Sequence, residues 1–222
     1  MAHLIVSPYW FYGVDSLFEI IGMIVSLLIA YFSYKIYKYS SSKTYRIMSL
    51  AFFFIAISYF IKIITNTFIY FKILSFEHFV VMNQLVELNM IYTVGFVLLR
   101  VAFLMGLILL LSLALKINDI KIIFLLFFFS VITAAFSDYK YYIFHLTAAI
   151  LLVFIARYFY KNYCEKRTGT SHCIFNSFAI LAVANFIFMF VLLNNIFYVV
   201  GEVVQLVGYL VLLSVQVRVL KK

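Results

Sequence analysis

An all-α, polytopic bundle of seven transmembrane helices is the fold this sequence predicts. Three observations predict it. Seven apolar stretches follow one another, lysine and arginine gather in alternate connections between them, and no polar tract is long enough to form a soluble domain. A chain with 67% hydrophobic and 11% charged residues carries more apolar surface than a soluble core absorbs. The whole chain, 1–222, therefore reads as a single integral membrane domain.

A helix crossing a hydrocarbon core of ~30 Å needs about 20 apolar residues. The spans fall at 15–37, 45–70, 88–115, 120–136, 139–160, 171–193 and 196–220. Ahead of the first, Pro8-Tyr9-Trp10-Phe11-Tyr12 suits an aromatic belt at the outer interface. Met1–Gly13 lacks the basic region of a cleavable signal peptide, so none is expected. Between the second and third spans, Phe71–Glu87 mixes apolar residues with Lys72, Glu77 and His78. It reads either as a short interfacial amphipathic helix or as an outward extension of the third span. The fourth span is the shortest. Pro8 is the only proline, so the helices are expected to be continuous rather than broken as in many secondary transporters. Gly22, Gly95, Gly106, Gly201 and Gly208 permit close helix approach.

The 17 basic residues set the orientation. Lys35, Lys38, Lys43 and Arg46 lie between spans one and two, Lys116 and Lys121 between three and four. Arg157, Lys161, Lys166 and Arg167 follow span five, and Arg218, Lys221 and Lys222 close the chain. Only Lys72 and Lys140 fall on the opposite side, with Lys62 and Arg100 inside spans. The positive-inside rule puts the N-terminus outside and the C-terminus in the cytoplasm of a cell membrane. The net charge of +9 then matches anionic inner-leaflet lipid; with no soluble module to carry it, it does not point to nucleic acid. Cys164 and Cys173 flank a cytoplasmic loop, where a structural disulfide is not expected, and they lack partners at metal spacing. No metal and no cofactor is expected.

Polar side chains inside the spans are the functional signal, because an ionisable group in hydrocarbon costs about 2.5–3.5 kcal/mol on insertion scales. Arg100 falls near the midplane, Lys62 and Asn66 in the outer half of span two, and Asn185 in the middle of span six. Glu202 and Gln205 enter from the outer end of span seven, with His145 and Glu19 shallower on the same side. Lys62 and Arg100 balance Glu19 and Glu202. Helical spacing aligns Asn89, Thr93, Phe96 and Arg100 on one face, Glu202, Gln205 and Tyr209 on another, and Ser58, Lys62 and Asn66 on a third. Tyr141, Tyr142 and His145 make a shorter stripe on span five.

These stripes predict an outward-opening polar pocket centred on Arg100, Glu202 and Gln205, with Asn185, Lys62, Asn66, His145 and Tyr209 contributing. The competing reading is structural. Arg100 and Glu202 then form a buried ion pair that fixes helix order, Asn185 and Gln205 act as interhelical glue worth about 0.6 kcal/mol each, and Lys62 snorkels to the headgroups. Span seven has no lysine before Lys221 to hold retinal, and His145 is the single membrane histidine, which excludes a bis-histidine haem. No zincin, nucleophile-elbow or P-loop spacing occurs, so catalysis is disfavoured, with Glu202 the one residue placed to act as a base.

Gly201-Glu202-Val203-Val204-Gln205-Leu206-Val207-Gly208-Tyr209-Leu210 resembles the last helix of multi-pass membrane-associated sensor domains that precede histidine kinases and cyclic-dinucleotide enzymes. There a polar pair three residues apart precedes Gly-Tyr. The basic, serine-rich stretch Tyr39–Arg46 before an aromatic second span is similar in character. Glu202 and Gln205 stand where that pattern has histidine and lysine. The resemblance implies a receptor- or sensor-like module, here without an output domain, signalling through a membrane partner protein or a homo-oligomer. Arg100 would anchor an anionic or carbonyl group of a small-molecule ligand, with Glu202, Gln205 and Asn185 orienting it. The alternatives are a small transporter or ion/proton pathway relayed by Glu202, Lys62 and His145, and a non-catalytic subunit of a membrane assembly. Transport predicts polar residues continuing into the cytoplasmic halves of the spans, which are mostly Leu, Ile, Phe, Val and Ala.

Overall fold

The computed structural model describes residues 8–11, 13–75, 82–117, 119–136 and 140–220, with the side chains of 9, 69–75, 82–92, 133–136, 140, 166 and 220 also outside the description. Among the described residues every regular element is helical: a 3-10 turn at Tyr9–Phe11 and seven α-helices. These are α1 (Val14–Ser40), α2 (Lys43–Ser75), α3 (Met82–Ala114), α4 (Ile120–Phe136), α5 (Lys140–Lys166), α6 (Gly169–Phe188) and α7 (Ile196–Leu220). Helices follow from the medium as much as from propensity, because a backbone in hydrocarbon must satisfy its own N–H and C=O groups. Six of them, all but α4, are long and apolar enough to cross a membrane by length and composition. At 17 residues α4 rises only about 25 Å, short of the ~30 Å core.

Helix ends carry recognisable signals. Gly13, at φ 86°, turns the chain into α1, and Asp15 Oδ1 accepts the backbone N–H groups of Gly13 at 3.0 Å and Ser16 at 2.8 Å. Thr168 caps α6 by accepting the Ser171 N–H. The expected sixth span through Leu193 ends its α-helix at Phe188, and backbone bonds of the tighter i to i−3 kind carry the chain on to Leu193. The Phe71–Glu87 connection is mostly helix: α2 continues to Ser75 and α3 begins at Met82. α3 thus starts six residues before the span read from the sequence, while 76–81 lie outside the described residues.

Packing runs α1 against α2 and α7, α2 against α3, α3 against α5, α5 against α6, and α6 against α7. Six helices thus close a ring, and α4 lies against the outside of α3 and α5. Ile120, Phe124, Leu125, Phe128 and Phe129 of α4 are exposed, an outward apolar face suited to acyl chains. The centre of the ring holds Phe52 and Ile55 of α2, Phe103, Leu107 and Leu110 of α3, Leu152 of α5, Phe178 and Leu181 of α6, and Tyr209 of α7. The crevice between them leaves no room for a water molecule. Two glycines permit this closeness: a Cβ on Gly106 would stand 2.8 Å from the Ala51 carbonyl oxygen, and one on Gly208 2.8 Å from Leu181.

Buried and half-buried hydroxyls turn back on their own helices. Ser58, Thr65, Thr147 and Ser177 donate to the carbonyls of Ile55, Ile61, Ile143 and Cys173 at 2.6–2.8 Å. Ser26 and Ser33 on α1 do not: both Oγ atoms are buried with no hydrogen-bond partner among the described residues.

Candidate functional site

At one end of the ring three helices bring charges together. Glu19 lies five residues into α1, Glu202 six residues into α7, and Lys62 six residues before Phe68 on α2. A rise of about 1.5 Å per residue puts all three roughly 7–9 Å below that end. There Lys62 Nζ stands 2.7 Å from Glu202 Oε1 and 3.1 Å from Glu19 Oε1. Asn66, one turn along α2, donates its Nδ2 to Glu19 Oε1 at 2.8 Å. Both ion pairs found among the described residues are made by Lys62.

The sequence shows why α1 turns Glu19 inward. Glu19, Gly22, Ser26, Ile29 and Ser33 recur at three- and four-residue steps, and all five are buried. That stripe is the signal by which Glu19 could have been placed in the site, where the sequence reading used it only to balance charge. Below Glu19, Gly22 lets the Tyr59 ring close on α1, since a Cβ there would be 3.1 Å from Tyr59 Cζ. Tyr59 meets Tyr209 edge to face at 5.9 Å, and Gln205 is buried one turn from Glu202. Above, Lys62 Nζ lies 5.4 Å from the centre of the Tyr198 ring, and Tyr198 packs with Phe11, Phe188 and Val191. Aromatic residues from the first turn, α6 and α7 thus roof the junction. The Lys62 side chain remains 16% exposed, against 0% for Glu19 and 4% for Glu202.

The second group of expected site residues gathers on α3, α5 and α6. His145 Nδ1 is 3.1 Å from Asn185 Oδ1, and Asn185 Nδ2 donates to the Leu181 carbonyl at 3.0 Å. With the amide nitrogen so used, Oδ1 is an acceptor and Nδ1 carries the imidazole proton. Rings of Tyr141, Phe144 and Phe188 surround His145 at 4.4–4.9 Å. The buried Arg100 guanidinium lies 5.6 Å from the Phe144 ring centre and 6.0 Å from that of Phe96. Phe188 links the groups, touching His145 on one side and Tyr198 on the other.

The residues expected in one pocket therefore divide by their contacts. Glu202 takes Lys62 where Arg100 was the expected partner. Lys62 turns inward to two carboxylates rather than snorkelling outward. Asn66 joins that junction through Glu19, with Gln205 and Tyr209 beneath it. Arg100, His145 and Asn185 make the other cluster. Of the stripe on α3, the Asn89 side chain lies outside the described residues. Among the described residues no group of three or more His, Cys, Asp or Glu is arranged to hold a metal. Cys164 and Cys173 are free thiols.

No protein-family model, no curated protein and no solved structure matches this chain.

Replacing Lys62 by Met strands two buried carboxyl groups. Removing one member of a buried charged set costs about 3–5 kcal/mol, so Lys62→Met is expected to lower the thermal midpoint in detergent by several degrees. Lys161→Met, on the exposed end of α5, is expected to leave it unchanged.

Proposed function

We propose that the chain is a seven-span membrane protein, N-terminus outside and C-terminus in the cytoplasm, that works as a receptor- or sensor-like module binding a small molecule at its outer junction. The observation that carries this is the convergence of Glu19, Lys62, Asn66 and Glu202 from three helices at one depth near one end of the ring. A polar ligand entering beside the partly exposed Lys62 competes for bonds that join α1, α2 and α7 to one another. It therefore has different affinity for different arrangements of those helices, which is what a signalling ligand needs. The apolar seal at the ring centre favours binding over passage. The resemblance of Gly201–Leu210 to sensor-domain helices points the same way.

The seven-span topology draws on helix direction. Contacts put the beginnings of α1, α5 and α7 at the end of the ring where α2 and α6 finish. Gly95 packs on Thr65 and Gly106 on Ala51 and Ile55, so α3 runs antiparallel to α2. That direction supports reading α4 as a crossing from the far end of α3 to the near end of α5, despite its length. Counting it as a crossing keeps Arg157, Lys161, Lys166 and Arg167 with the other basic residues on the inner side. That face attracts anionic lipid by about 1 kcal/mol per basic residue near the surface, and offers the surface for a partner or a second copy.

An ion or proton pathway is the second reading, and Ser26 and Ser33 favour it, as buried hydroxyls without a hydrogen-bond partner among the described residues on the α1 face below Glu19. Ile29, Phe52, Ile55 and Leu212 interrupt that route, each 0–1% exposed.

Native mass spectrometry of the purified protein beside Glu202→Gln and Lys62→Met tests the ligand. The expected result is a small molecule on the wild type and its loss from both folded variants. Bare spectra for all three, after extraction in mild detergent and in native lipid discs, contradict the receptor reading. Orientation is checked separately with Cys164, which is exposed. A membrane-impermeant maleimide is expected to label it only after cells are permeabilised; labelling in intact cells reverses the topology.

A further inference from the structure

The junction of α1, α2 and α7 holds two carboxyl groups and one ammonium. Its oxygens are also used unequally. Glu19 Oε1 takes both Lys62 and Asn66, while Glu19 Oε2 is buried with no hydrogen-bond partner among the described residues. Buried polar atoms are nearly always satisfied, and a buried charge without compensation is more costly than a neutral group missing one bond.

Among the described residues the ion pairs give these carboxyl groups no cation besides Lys62. On α1, Asp15 sits one turn nearer the helix start, with Oδ1 bound to backbone N–H groups. On α2 the facing groups are Lys62, Asn66 and Tyr59. On α7 they are Glu202, Tyr198 over the ammonium, and Tyr209 against Tyr59. Arg100 packs on Phe96 and Phe144, the latter on α5.

We propose that the junction binds one exchangeable proton, held on Glu19 Oε2 and drawn from the outer aqueous side past the Lys62 side chain. The inference deepens the preceding reading and rests on the junction being a functional site. Uptake converts the Glu19 carboxylate to a carboxylic acid: hydronium on the outer side gives up its proton, breaking one O–H bond and leaving water, and one O–H bond forms at Oε2. It brings two carboxyls and one ammonium from a net charge of −1 to zero. A metal ion suits the place less well, because hard cations gather several oxygen ligands and the ammonium already occupies both Oε1 atoms. A proton needs one oxygen. Its loss leaves a second full carboxylate competing for Lys62, so occupancy alters how α1 is held to α2 and α7. The site thereby makes the outer junction sensitive to external pH.

Infrared difference spectroscopy of the full chain in liposomes, in water and in deuterium oxide, tests this. The wild type is expected to show the C=O stretch of a buried carboxylic acid, shifted down in deuterium oxide and fading as pH is raised. Glu19→Gln is expected to abolish it. Glu202→Gln is expected to abolish it too, because the single remaining carboxylate then matches Lys62. Should Glu19→Gln fail to fold, the wild-type titration and Glu202→Gln decide. Absence of the band from wild type under all conditions, or a band unchanged in both variants, overturns the proposal. So does stabilisation by sodium without the band, which assigns a metal ion in place of the proton. A ligand in the mass spectra with no carboxylic acid band removes the proton and leaves the receptor reading standing. A titrating band with no ligand does the reverse.

Discussion

A charge carried into hydrocarbon has to bring its partner along, and in this protein the partners sit on different helices. Lys62 on α2 reaches Glu19 on α1 and Glu202 on α7, so one ammonium ties three elements that the chain itself joins only between α1 and α2. The contact between α1 and α7 closes the ring, and the junction lies on that closing seam. Water cannot take over from either carboxyl group, since the Glu19 and Glu202 side chains are 0% and 4% exposed. The rest of that end of the ring is arranged around that constraint. Asn66 fills an acceptor on Glu19, Tyr198 lays its ring beside the ammonium, and Phe11 and Phe188 close over Tyr198.

The two ends of the bundle differ in kind. One end carries the Lys62 junction and, across Phe188, the His145–Asn185 pair beside Arg100. The centre is an interlocked apolar layer in which Ile29, Phe52, Ile55, Leu104, Leu107, Ile108, Leu152, Ile155, Phe178 and Leu212 are all buried to within 2%. Toward the other end the buried polar groups are few, such as Gln216, whose Nε2 is 3.5 Å from Met48 Sδ. The polar junction thus stands on a tightly packed apolar floor. Small changes at the junction then act on α1, α2 and α7 together, since packed interfaces shift between discrete arrangements rather than deform smoothly.

Hydrophobic runs made the helices legible. The bounds read for α4 and α7, Ile120–Phe136 and Ile196–Leu220, coincide with the structure because abrupt polar residues or turns flank them. α2 and α3 were read short, since a helix that leaves hydrocarbon loses its apolar signal while its backbone continues, as α2 does to Ser75. Depth was legible too, because rise per residue converts position into height. Partnership was not. Which carboxylate meets Lys62 depends on the rotation of each helix and on the order of helices around the ring, and neither follows from spacing on one helix. Arg100 and Glu202 lie on helices with polar stripes at overlapping depth, yet the ring places α7 beside α1 and α6, and α3 beside α2 and α5. The inward stripe from Glu19 to Ser33 was available in the sequence, but its serines and glycine blend with the small residues common to any close helix contact.

The junction depends on the Lys62–Glu202 pair, and a charge-swap cycle measures that dependence directly. Thermal unfolding in lipid discs of K62E, E202K and the K62E/E202K double variant gives the coupling between the two positions. Each single variant spoils the charge count of the junction, whereas the double variant restores it. The prediction is two strongly destabilised singles and a double recovering most of the loss, a coupling of about 1–3 kcal/mol, well above the ~0.3–0.5 kcal/mol scatter of independent sites. Losses that simply add would contradict it and leave the junction without its central contact.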